Sequence, residues 1–135
     1  MKKFFLRTTF VLFVSVTILS SFIQKEKPVY SFGGKMGNCT MTWDEFLACK
    51  KELVTNDKAL MVGSFLLTIS KVTKKDSLQI EYPGKGNVFS KAANESIKEL
   101  HGDKKMGRKV IIDHVMIQES GKAAREVAGM TITLN

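Results

Sequence analysis

The 135-residue sequence is poor in the residues that carry most enzyme chemistry: two histidines, two cysteines, one tryptophan and two prolines. Acyl transfer needs a nucleophile, a base within reach and a third group that orients the base. No G-x-S-x-G occurs, and neither Cys39 nor Cys49 stands in a nucleophile signature. Gly84-Lys85-Gly86-Asn87 lacks the remaining spacing of a phosphate-binding loop and reads as a turn. A zinc site would need two ligands beyond the cysteines, and only His101 and His114, on distant segments, could supply them, so no metal or cofactor is expected. Asp113 and His114 form the one adjacent acid and base pair. Consecutive strand residues point to opposite faces, so the two side chains are expected not to meet. Basic residues interleaved with aromatics are also missing, which argues against nucleic acid as a partner.

Acidic residues are absent from the first 25 positions. Lys2, Lys3 and Arg7 precede an uncharged stretch from Thr8 to Ile23, the layout of a secretory signal peptide over residues 1–24. The alternative is an uncleaved anchor, the only route by which this chain would touch a membrane. Its apolar core of about 14 residues is short against the roughly 20 that span a bilayer. The remaining residues carry 18 Lys plus Arg against 13 Asp plus Glu, a net charge of about +5 without a dense basic run, as on an ordinary mixed surface. A chain of that length supports one domain, and export places it in the periplasm or beyond. In an oxidising compartment Cys39 and Cys49 are candidates for a disulfide, which geometry must decide.

Residues 25–31 read as a polar tether with Pro28, followed by a glycine-punctuated opening at Gly33, Gly34 and Gly37. Thr42 with Glu45 three residues on is a capping box, predicting a short helix over 43–50. Residues 59–70 are rich in strand formers, with Gly63 at a bulge or bend. Leu78, Ile80 and Tyr82 alternate with Gln79 and Glu81, predicting a half-buried strand that stops at Pro83-Gly84. Ser90 caps a second helix from Lys91 to about Leu100, and His101 after it suits the negative end of the helix dipole. Strands over 110–117 and 127–134 flank a Ser120-Gly121-Lys122 turn. Many strands with hairpin-compatible turns and two short helices predict a mostly β domain, a single antiparallel β-sandwich of immunoglobulin-like kind.

The segments "GGKMGNCTMTWDEFLACKKEL", "LMVGSFLLTIS" and "GNVFSKAANESIKELHGDKKMGRKVIIDHVMIQESGKAAREVAGMTITLN" together resemble the C-terminal domain of GldM, the periplasmic shaft protein of gliding motility and type IX secretion in Bacteroidota. The likeness runs from residue 32 to the end, through Gly33 to Gly37, Gly63 to Ser70, Val110 to Asp113, Gly121 to Lys122 and Gly129 to Leu134. It implies an exported, non-catalytic domain that binds an envelope protein or itself. The family's long N-terminal part, with its membrane helix and motor coupling, has no counterpart in this sequence, so no motor role is implied. For such a module, Trp43 and Phe46 are candidate anchors, although a lone tryptophan in a small core is more often buried than displayed. The final strand, with Thr131 and Thr133, is the candidate edge for strand addition. The other readings are a small-ligand binder or hydrolase using His114 and Asp113, and a structural homodimer.

Overall fold

Alternating apolar residues, interrupted at specific points, decide the architecture. A computed structural model describes residues 28–135; the expected signal peptide and the first part of the expected tether lie outside the described residues. In chain order the elements are β1 (Tyr30–Ser31), β2 (Cys39–Met41), α1 (Trp43–Ala48), β3 (Val54–Thr55), β4 (Leu60–Val72), β5 (Ser77–Lys85), α2 (Lys91–Gly102), β6 (Met106–Glu119), β7 (Arg125–Val127) and β8 (Met130–Leu134). The fold is thus mostly β with two helices among the described residues. One sheet runs β2-β8-β6-β4-β5, with β7 also paired to β6, and β1 and β3 form a separate two-stranded sheet. The large sheet is mixed rather than purely antiparallel, because β2 lies parallel to β8.

The long pair β4 and β6 is the spine, and both strands change phase along their length. In β4, Leu60 and Val62 are buried, then Phe65, Leu67 and Ile69. In β6, Val110 and Ile112 are buried, then Val115 and Ile117. Strict alternation would have turned the second half of each strand inside out. Register shifts between Val62 and Ser64 and between Ser64 and Leu66 put one extra residue into each strand at nearly the same height, so both keep the same face toward the core. The bend expected at Gly63 is the first of these bulges.

Both helices lie on the core face. Thr42 caps α1 as expected: the Glu45 N–H donates to Thr42 Oγ1 at 3.1 Å and the Thr42 N–H donates to Glu45 Oε2 at 2.8 Å. At its other end the Lys51 ammonium donates to the carbonyls of Phe46, Leu47 and Cys49, the last turn a six-residue helix leaves unsatisfied. Helix α2 starts on Ser90, whose Oγ accepts from the Ala93 N–H, and buries Ala93, Ile97 and Leu100. The Tyr82 hydroxyl donates to Ser96 Oγ at 2.6 Å, tying α2 to β5.

Two sequence expectations need correction here. Residues 25–31 are not tether to their end, because Tyr30 is fully buried and its hydroxyl donates to the Ala128 carbonyl at 2.9 Å. Strand β5 does not stop at Pro83, which pairs with Leu66, while Gly84 lies beneath the Phe65 ring. Proline is tolerated there because β5 is the outermost strand. Of the opening glycines, Gly33 and Gly34, at φ 57° and 78°, are the two centre residues of a tight hairpin closed by Phe32 and Lys35. Positive φ at both positions is the turn geometry that matches strand twist. No helix among the described residues is long and apolar enough to cross a membrane.

Candidate functional site

The bulge in β6 collects the ionisable groups of the outer sheet face. Asp113 and His114 fall between the inward residues Ile112 and Val115, so neither points into the core. His114 takes φ 48°, a left-handed conformation uncommon for a residue with a Cβ, and its N–H donates to Asp113 Oδ1 at 2.9 Å. Across the hairpin, Met116 pairs with Glu126, which brings the Glu126 carboxylate to 3.0 Å from His114 Nδ1. One ligand atom from each of Asp113, His114 and Glu126 lies within 4.8 Å of the others. The expectation that Asp113 and His114 diverge is therefore overturned: it holds for regular strand, and the extra residue cancels it. Glu126 was missed altogether. Its signal was present, since V-x-I-x-x-V-x-I over 110–117 breaks the two-residue period at Asp113-His114, and the turn at 120–122 sets Glu126 opposite Met116.

The far side of the cluster is held by a close backbone approach. A Cβ on Gly129 would lie 2.5 Å from the Ile112 carbonyl oxygen and 3.0 Å from Asp113 Oδ1. Strands β7 and β8 continue one line along β6, broken at Ala128-Gly129 opposite the bulge. Burial, and secondarily the charge of Asp113, pushes the Tyr30 hydroxyl well above its ordinary pKa, so it stays a donor to Ala128 at any working pH. Gly129→Ala is expected to destabilise the fold by about 1–3 kcal/mol, read as a lower urea midpoint with an unchanged slope.

An imidazole flanked by two carboxylates can share a proton or help hold a cation. The bond to Asp113 is made by the His114 main-chain N–H, and the imidazole itself meets the Glu126 carboxylate. His114 is mostly exposed and Glu126 about one-third exposed.

The remaining candidates separate by face. Strand β8 is not an edge: it lies between β6 and β2, and the Thr131 N–H is taken by Asn38 Oδ1 at 2.9 Å. The physical reason is β2, three residues of the opening that lie alongside Ile132 to Leu134. The side chains of Thr131 and Thr133 remain on the outer face with Leu66, Thr68, Ile111 and Met116, none of them buried. The longer of the two outermost strands of the large sheet is β5, paired with β4 over nine residues and, among the described residues, with no strand on its other side.

Phe46 is fully buried and cannot serve as a surface anchor, because its ring packs at a tilt against Phe32 in the aromatic core. Trp43 is half-buried, its ring 5.6 Å from that of His101. Cys39 and Cys49 are half-buried free thiols here, with Cys49 Sγ donating to the Phe46 carbonyl at 3.1 Å. Burial pushes both thiols up, against the opposing charges of Lys35 and Lys51, so both are poor nucleophiles at neutral pH. On the core side a groove of about 440 Å³ runs beside exposed Val54 and Met61 but gathers no second ionisable cluster. No family model matches the chain, and no curated protein matches it.

Proposed function

We propose that this chain is an exported, non-catalytic interaction domain of the cell envelope, similar to the GldM C-terminal domain, that adds a partner's strand to β5. The observation that carries the reading is the side of β5 that no strand among the described residues covers, on a nine-residue strand whose other side is fully laddered to β4. A strand edge offers a row of backbone donors and acceptors, and side-chain pockets beside it supply selectivity. Leu78, exposed to 54 %, sits at the start of that edge. The open outer face with Thr131 and Thr133 extends the contact area beyond the edge. An immunoglobulin-like sandwich belongs to the same proposal: the β1–β3 pair, with Tyr30, Phe32 and Leu53 in the core, supplies the strand part of a second layer.

Adjacent N–H groups of a strand point to opposite sides, so Leu78→Pro and Gln79→Pro form a matched pair of probes. One removes a bond to β4 and lowers the melting temperature. The other removes an outward donor, keeps the fold and loses a partner captured from envelope extract by the tagged chain. Equal capture by the variant that keeps the fold would remove strand addition as the mechanism. A concentration-dependent dimer in sedimentation, with nothing captured, would make self-association the role.

A further inference from the structure

We propose that Asp113, His114 and Glu126 form a binding site for a divalent transition ion of the zinc type on the outer sheet face. Three different ligand groups converge because of backbone geometry: the bulge turns Asp113 and His114 to the same side, and the β6–β7 hairpin delivers Glu126 beside them. Tetrahedral zinc with bonds of about 2.0–2.2 Å holds its ligand atoms roughly 3.3–3.6 Å apart. His114 Nδ1 and Glu126 Oε1 lie at 3.0 Å and the whole set within 4.8 Å, so the ligand spacing brackets what a tetrahedral ion requires. The imidazole decides the class of ion, since calcium and magnesium prefer all-oxygen shells and nitrogen favours zinc and its neighbours. Two carboxylates balance the charge of such an ion. Asp113 is anchored from behind by the His114 N–H and by the close approach of Gly129. Three protein ligands leave the fourth position to water or to a donor brought by another molecule.

The test is calorimetric titration of the purified chain with zinc chloride, beside His114→Gly and Glu126→Gln. Glycine is at ease at φ 48°, so the first variant removes the ligand without straining the bulge. Glutamine keeps the shape of Glu126 and removes its charge. The expected result is one saturable site, weakened at least about tenfold in each variant that keeps its circular dichroism spectrum. A Cys39→Ser/Cys49→Ser double variant should bind as the parent does, and X-ray absorption should show one imidazole with oxygen neighbours and no sulfur. No saturable binding at millimolar zinc, parental affinity in His114→Gly, or loss of the site in the cysteine variant would each overturn the assignment.

Discussion

Thr133→Pro unfolds the protein or lowers its melting temperature by on the order of 15 °C. Were β8 a free edge, a proline there could leave the fold standing and report only on partners. Instead Thr133 is laddered on both sides, opposite Lys109 of β6 and Thr40 of β2. The Thr131 N–H points to the β2 side, where it meets Asn38, and the Asn135 N–H donates to the Met41 carbonyl at 3.0 Å on that same side. Thr133, between them at the strand period, also directs its donor toward β2. Proline deletes that bond and forces its ring against the neighbouring strand, at a cost of about 3 kcal/mol or more. Thr133 is flanked by Ile132 and Leu134, both fully buried, so displacing the strand also opens the core. Against a typical domain stability of roughly 5–15 kcal/mol, that is a large fraction. Circular dichroism against temperature checks it: a melting point within a few degrees of the parent would mean that β2 does not hold β8 in place.

The error about β8 shows where local sequence stops being informative. Met130, Ile132 and Leu134 alternate with threonines, and that pattern fixes a strand with one buried face. It contains nothing about which segment lies alongside. Strand β2 is three residues, Cys39 to Met41, too short for any periodicity to register, and its partner is more than 90 positions away in the chain. The same limit hid β1 and β3, each two residues long and visible only through their pairing. Helix α1, by contrast, was legible because its capping box is a contact between residues three apart, and α2 because Ser90 and the positions of Ala93, Ile97 and Leu100 are set within one segment.

The site was half legible for a different reason. Asp113 and His114 stand out as a pair, and regular strand geometry argues against their convergence. The irregular spacing between Ile112 and Val115 carried the correction, since two inward residues three apart cannot belong to an uninterrupted strand. Glu126 entered only with the hairpin register, which is a tertiary fact although the turn at Gly121 is a local one. The same bulge that makes the cluster costs ladder regularity, and the matching bulge at Gly63 keeps that cost from propagating into the core. Binding geometry and folding geometry are here one feature of β6.

Phe32→Ala is expected to lower stability by about 3–5 kcal/mol, the range for truncating a fully buried phenylalanine. Phe32 has no exposed surface. Its ring stacks on Phe89 at 5.4 Å and 8°, and lies 5.8 Å from Phe46; Phe89 in turn lies 5.8 Å from Phe65. This chain of four rings joins the glycine hairpin, α1, the segment before α2 and β4, so one truncation loosens the contacts among these four parts of the core. Aromatic contacts of this kind add about 0.5–1.5 kcal/mol beyond area burial, and two are lost at once. Phe32→Leu keeps most of the volume and should cost less than half as much. Urea unfolding of the two variants decides between contributions: equal losses would mean that ring stacking dominates, whereas a small loss for leucine beside a large one for alanine assigns the stability to filled volume. A loss under about 1 kcal/mol for alanine would contradict the burial itself, because no residue at that depth is removed so cheaply from a close-packed interior.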